Sequence, residues 1–283
     1  MQVDVNGTRL WFDVEGPALV PGGSEMRRRP TIVLIHGGPA SYDHSYFKPY
    51  FSQLAEHMQV VYLDLRGHGR SEWGDSPEWS FEACADDIRA FCDTVAIERP
   101  VVFGHSMGVP VVLLYGARHP GHAAGLVAQS GFARWDLPRV VEGFRHFADE
   151  EVADLARRSF SGDPVAPEQW ERVFVVFGPN VPDEEELARR RQNRELGPPA
   201  LERMCRLDLV DQLDRIDCPT LVCVGELEPH TPVAASEEIF EALPERYARL
   251  EVLAGAGHFP WKDVPERYWP LLIDFVAGLP RGS

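Results

Sequence analysis

Along residues 2–15 apolar and polar positions alternate on either side of Asn6-Gly7. A period of two predicts half-buried strands, and Asn-Gly suits the tight turn of a hairpin because both residues tolerate positive φ. Residues 16–30 lose the alternation, collect Pro17, Pro21, Gly22 and Gly23, and carry Arg27-Arg28-Arg29. They are predicted to form a solvated connector between strands. Beyond them come short runs that are apolar at nearly every position, over 32–35, 60–63, 101–103, 125–128, 220–224 and 250–253. A strand without a polar face suits a parallel sheet covered on both sides. Helical spacing fills the gaps over 48–57, 82–96, 107–118, 234–243 and 265–277. Strand and helix in alternation predict an α/β fold with a mostly parallel, doubly wound sheet.

One stretch breaks the alternation. Residues 132–207 show helical segments, with Trp135, Phe144, Phe160, Trp170, Phe174 and Phe177 among their aromatics. This segment is predicted to be a helical cap inserted after the sixth strand, with 1–131 and 208–283 forming the core domain. Each aromatic by itself reads as packing within the insertion; together they favour an apolar pocket beneath it. Asp183-Glu184-Glu185-Glu186 followed by Arg189-Arg190-Arg191 places acid at a helix start and base further along, as the helix dipole prefers, and predicts a solvated helix.

Composition narrows the function classes. Hydrophobic residues make up 44% of the 283 residues and charged residues 25%, so a core can be buried without metal or disulfide staples. The formal net charge of −16 repels phosphate backbones and anionic lipid, which argues against nucleic-acid and membrane partners. The five cysteines are odd in number and form no C-x-x-C pair, so reduced thiols and a cytoplasmic location are expected. The N-terminus lacks the basic and apolar regions of a signal peptide, and no apolar run is long enough for a membrane span.

Candidate chemistry centres on Gly104-His105-Ser106-Met107-Gly108, a G-x-S-x-G between an apolar strand and a helical run. In that context the serine sits on a sharp, strained strand-to-helix turn that lifts its hydroxyl off the sheet. The same turn places the Met107 N–H at the start of a helix, where it can stabilise a developing oxyanion.

With this motif the chain resembles the α/β-hydrolase family, over nearly its whole length. His36-Gly37-Gly38-Pro39 matches the family's oxyanion loop, which implies the Gly38 N–H as second oxyanion donor ahead of Gly37, with His36 bracing the loop. Asp64-Leu65-Arg66-Gly67-His68-Gly69-Arg70-Ser71 resembles the family's D-x-R-G-x-G-x-S turn, expected to be held by a local ion pair or hydrogen bonds of Asp64 and Arg66. The family's order of serine, acid, histidine implies Ser106 as nucleophile and His258, in Gly257-His258-Phe259-Pro260, as general base. In 225–232 the sequence resembles the family's G-x-x-D-x-x-x-P loop and implies Glu228 as the acid, with Glu226 and Asp136 as rivals. A serine at position 106 argues against haloalkane dehalogenase and epoxide hydrolase chemistry, which needs aspartate there. No P-loop occurs, the histidines form no metal-ligand spacing, and no cofactor is expected.

For substrate, the resemblance implies a small-molecule ester, lactone or amide held under the cap. His36-Gly37-Gly38-Pro39 with Asp43-His44-Ser45-Tyr46-Phe47 is most similar to proline iminopeptidases, which release N-terminal proline from short peptides. Ala40, Leu65 and the lone Trp170-Glu171 depart from that pattern. Ligand receptors and cofactor-free perhydrolases or lyases of the same fold remain alternatives of other classes.

Overall fold

The computed structural model describes residues 1–74 and 79–280. Strands β1 (Gln2–Val5) and β2 (Thr8–Glu15) pair antiparallel with Val5 opposite Thr8. Asn6 and Gly7 take φ of 45° and 75°, the two positive values that the hairpin turn requires. The predicted connector contains more structure than expected. Strands β3 (Leu19–Pro21) and β4 (Met26–Arg28) form a separate two-stranded ribbon, its turn bonded from the Gly22 N–H to the Glu25 carbonyl at 2.8 Å. Most of its residues are exposed, so no burial pattern marked it in the sequence.

The rest of the sheet follows in β5 (Thr31–Ile35), β6 (Gln59–Asp64), β7 (Val101–His105), β8 (Gly125–Gln129), β9 (Thr220–Gly225) and β10 (Ala248–Leu253). The eight strands lie in the order β1-β2-β6-β5-β7-β8-β9-β10, with β5 through β10 parallel. The order reverses at β5, which has β6 on one side and β7 on the other. In open α/β sheets the crevice outside the carboxyl ends of the strands at such a reversal is where ligands bind. Here those ends lead into His36-Gly37-Gly38 and Ser106.

The predicted helix over 48–57 is split into α1 (Lys48–Phe51) and a 3₁₀ turn over Ser52–Glu56. Helices α2 (Phe81–Thr94) and α3 (Gly108–Arg118) follow β6 and β7. Between β8 and β9 the chain forms α4 (Leu137–Phe147), α5 (Glu150–Phe160), α6 (Pro167–Phe174), α7 (Glu184–Ala188) and α8 (Gly197–Met204). A lone antiparallel bridge between Arg134 and Asp208 joins the two ends of this segment. Carboxylates start three of its helices: Asp136, Asp149 and Asp183 each accept an N–H from the first turn, which satisfies donors with no partner inside the helix. The acidic run at 183–186 is not wholly solvated as expected. Glu186 is buried and accepts from Tyr50 Oη at 2.5 Å and from Lys262 Nζ at 2.7 Å, tying α7 to the core. Helices α9 (Val233–Ala242), α10 (Pro260–Asp263) and α11 (Pro265–Ala277) complete the chain.

In the turn after β6, Asp64 makes the hydrogen bonds expected of it, whereas Arg66 pairs with a helix outside the turn. Asp64 accepts from the His44 N–H, His44 Nδ1 and the Arg70 N–H. Arg66 turns away to Asp87 on α2, with Nε and Nη2 each 2.6 Å from a carboxylate oxygen. Asp87 also accepts from Asn6 in the β1–β2 turn, so one carboxylate links three segments. Truncating Asp87 removes the carboxylate that this buried link with Arg66 and Asn6 is built on. Asp87→Ala should therefore destabilise the fold by about 3–5 kcal/mol in urea unfolding. Arg89→Ala, which breaks the exposed Arg89–Asp93 pair, should cost under about 1 kcal/mol.

Candidate active site

Strand β7 delivers Ser106 through a turn that leaves no room for side chains. A Cβ on Gly104 would lie 2.5 Å from the Gly108 carbonyl oxygen, and one on Gly108 the same distance from that of Ile35. Ser106 itself has φ of 55°, a strained value for a residue other than glycine. The loop after β5 packs directly on it, since a Cβ on Gly37 would meet Ser106 Cβ at 2.8 Å. The Gly37 N–H is taken by the Tyr46 hydroxyl at 3.0 Å. The N–H groups of Gly38 and Met107 have no acceptor among the described residues, and both residues line the cavity that holds Ser106 and His258. Met107 immediately precedes α3, so its N–H lies at the positive end of that helix.

His36 braces the loop from inside. Its Nε2 accepts the Leu65 N–H at 3.2 Å and its Nδ1 lies 3.0 Å from the Gly37 carbonyl. His68 adds a second brace by accepting the Ala40 N–H at 3.0 Å.

His258 follows β10, and its own N–H donates to the Phe177 carbonyl at 2.6 Å. Its Nδ1 donates to Glu228 Oε2 at 2.6 Å, so the added methylene of glutamate does not prevent the contact. The other oxygen, Oε1, accepts the N–H groups of His230 at 2.8 Å and Thr231 at 3.1 Å. The rival carboxylates point elsewhere: Glu226 accepts the Gly255 N–H, and Asp136 caps α4. Burial pushes the Glu228 carboxyl up to about 7, against the pull of its N–H donors, and the His258 imidazolium down to about 3. Both shifts favour the uncharged form, and the two groups titrate as one pair. No hydrogen bond joins Ser106 to His258 among the described residues, although both face the cavity; such bonds are often long before substrate binds.

A buried brace that the sequence did not reveal connects these loops. The Tyr46 hydroxyl donates to His105 Nδ1 at 2.9 Å, and His105 Nε2 donates to the His258 carbonyl at 2.9 Å. With the Gly37 bond it ties the ends of β5, β7 and β10 together. His105 occupies a position that the G-x-S-x-G pattern leaves open, so the motif carried no signal for it.

The cavity measures about 200 Å³. Its apolar wall comes chiefly from Tyr42, Phe132, Phe160, Trp170, Phe174 and Phe177, and among the described residues no aspartate or glutamate lines it. Two clusters have donor spacing compatible with a metal ion: Glu228 with His230 and His258, and Asp43 with His44 and Asp64. No helix among the described residues is long and apolar enough to cross a membrane, and all five cysteines are unpaired.

Residues 30–263 match the family described as alpha/beta hydrolase fold. A protein named "Putative carbamate hydrolase RutD" from Caulobacter sp. (strain K31) is 26% identical over 272 residues, covering 86% of this chain and 94% of its own. Among solved structures, proline iminopeptidase from Mycobacterium smegmatis superposes with a TM-score of 0.79 at 20% identity, over 98% of this chain and 97% of its own. The enol-lactonase from Burkholderia xenovorans LB400 gives 0.69 at 23% identity, over 98% of this chain and all (100%) of its own. These two likenesses are of fold. From the switch-point cavity and the match across most of its length, the chain is a hydrolase that belongs to the α/β-hydrolase fold family.

Proposed function

We propose that this hydrolase cleaves small, largely apolar esters or lactones through an acyl-serine intermediate on Ser106. The observation that carries the reading is the cavity in which Ser106, the Glu228-bound His258 and two backbone N–H groups with no acceptor among the described residues meet an aromatic wall. His258 Nε2 takes the Ser106 proton as Oγ attacks the carbonyl carbon. The Gly38 and Met107 N–H groups hold the resulting oxyanion, and the surrounding aromatics exclude water that would weaken those bonds. Collapse breaks the bond to the leaving group, which takes the proton from His258. Water, deprotonated by the same imidazole, then releases the acid and restores Ser106. Glu228 keeps the proton of the resting imidazole on Nδ1 and stabilises its cationic form.

Residues 132–207 act as the cap over the acyl group. The cavity favours a neutral substrate over the iminopeptidase alternative, because a free N-terminal amine needs a carboxylate and none among the described residues lines the wall. A carbamate, named for the curated relative, presents the same kind of carbonyl carbon and falls within the reaction class. The chemistry needs no cofactor, and the unpaired cysteines support a cytoplasmic location.

The direct test compares p-nitrophenyl butyrate with prolyl p-nitroanilide, with Ser106→Ala as the blank. Ester cleavage that Ser106→Ala lowers by at least about 10³-fold is expected; cleavage confined to the prolyl amide restores the iminopeptidase reading. Silence on both favours a receptor. Glu228→Gln should lower kcat by about 10²–10⁴-fold, whereas Glu226→Gln should stay near wild type; the reverse order moves the acid to Glu226. Protonation of the Glu228–His258 pair removes the base, and burial raises the carboxyl, so kcat/KM should fall as pH drops through about 7. A pH–rate profile that stays level through that region overturns this assignment of the pair.

A further inference from the structure

The two buried clusters with metal-compatible spacing each place three donor atoms within 4.8 Å of one another. In the cluster of Asp43, His44 and Asp64, every member is already committed. Asp64 serves His44 and the Arg70 N–H, Asp43 serves the Ser45 and Arg191 N–H groups, and His44 Nε2 lies 2.9 Å from the Arg70 guanidinium. That cluster is a structural knot.

The cluster of Glu228, His230 and His258 differs at one residue. His230 is 8% exposed, and neither of its ring nitrogens has a partner among the described residues. Its ring stacks on Phe160 at 4.7 Å between centroids, with Phe177 at 5.2 Å and Trp135 at 5.6 Å. This aromatic nest fixes the imidazole while leaving its polar atoms unserved. Orphaned buried nitrogens in a native protein call for a partner. Burial holds the ring in its neutral form, so one nitrogen keeps a lone pair, and a nitrogen of this ring lies within reach of the Glu228 and His258 donors.

We propose that Glu228, His230 and His258 form a binding site for a zinc-class divalent ion beside the cavity that the two histidines line. One carboxylate and two imidazoles are a donor set that zinc accepts, with a fourth position left for water or substrate. Glu228 Oε1 is held by two backbone N–H groups, so the available atoms are Oε2 and His258 Nδ1. The ion replaces the proton between them: the Nδ1–H bond breaks, the metal–nitrogen bond forms, and the proton moves to Nε2, so the imidazole stays neutral and its former base nitrogen is protonated. The 2.6 Å separation of these atoms widens to roughly 3.3 Å, the edge of a tetrahedron with zinc–nitrogen bonds of about 2.0–2.1 Å. Magnesium and calcium, which prefer oxygen donors, are not taken. Occupation removes His258 from proton transfer, so on the reading given above the ion is a reversible inhibitor.

Zinc chloride titrated calorimetrically into Ser106→Ala is expected to fill one such site per chain. In Ser106→Ala/His230→Phe the affinity should fall at least about tenfold; the phenyl ring suits the same nest, and circular dichroism checks the fold. Equal affinity with and without His230 assigns the metal elsewhere, for example to the partly buried His119 and His122, and overturns the proposal, as does the absence of a one-to-one site. Should the double variant fail to fold, the visible spectrum of cobalt(II) bound to Ser106→Ala decides. Intense tetrahedral bands support the site, and the weak bands of an octahedral, oxygen-bound ion overturn it. These measurements do not involve turnover, so their failure is distinct from failure of the acyl-serine mechanism. In the wild type, zinc should suppress ester cleavage, chelator should restore it and magnesium should have no effect; undiminished cleavage at saturating zinc removes the inhibitory role.

Discussion

Strand β7 can pass the chain into α3 at so sharp an angle because nothing projects from Gly104 or Gly108. The carbonyls of Ile35 and Gly108 occupy the space that side chains would need. This close approach brings the ends of β5 and β7 together at the point where the strand order reverses. The positive φ of Ser106, the position of the Gly37-Gly38 loop and the crevice that becomes the cavity all depend on it. The strain at Ser106, of order 1–3 kcal/mol, is borne by a central sheet whose strands are buried on both faces.

A second layer of order comes from polar groups buried beside that crevice. Tyr46 and His105 join three loops that are remote in sequence, and each member of the chain has a partner. A satisfied buried network of this kind rigidifies what it connects, because in a low dielectric every lost bond is expensive. Glu228 follows the same logic with two backbone N–H groups and one imidazole. Opposite them the cavity wall is aromatic, so the hydrogen-bonding machinery occupies one side of the space and the apolar surface the other.

The regular elements were legible in the sequence because burial imposes a period on it. The helix over 265–277 and the strands at 32–35 and 220–224 stand where apolar spacing places them, within a residue or so at each end. The ribbon of β3 and β4 was not legible, since exposed residues carry no such period. The G-x-S-x-G motif and the glycine loop could be read because they constrain the backbone locally. The pairing of Arg66 with Asp87, in place of a contact to Asp64, could not, because it depends on where α2 lies relative to the turn after β6. The same holds for Tyr46 with His105 and for the choice among Glu228, Glu226 and Asp136. Sequence narrowed that choice to three carboxylates, and the path of the loop after β9 decides which one meets His258.

His258 hangs by its own N–H from the carbonyl of Phe177, a residue of the helical segment between β8 and β9. A Cβ on the adjacent Gly257 would lie 2.3 Å from that same oxygen. The segment that shapes the apolar wall is therefore also a support of the imidazole. Substitutions that reshape the wall near Phe177 act on two traits at once, the fit of a ligand and the aim of the ring. A lineage exploring new substrates through this segment would have to conserve one carbonyl's position while varying everything around it. Chimeras that exchange the segment between relatives should succeed or fail on that single atom.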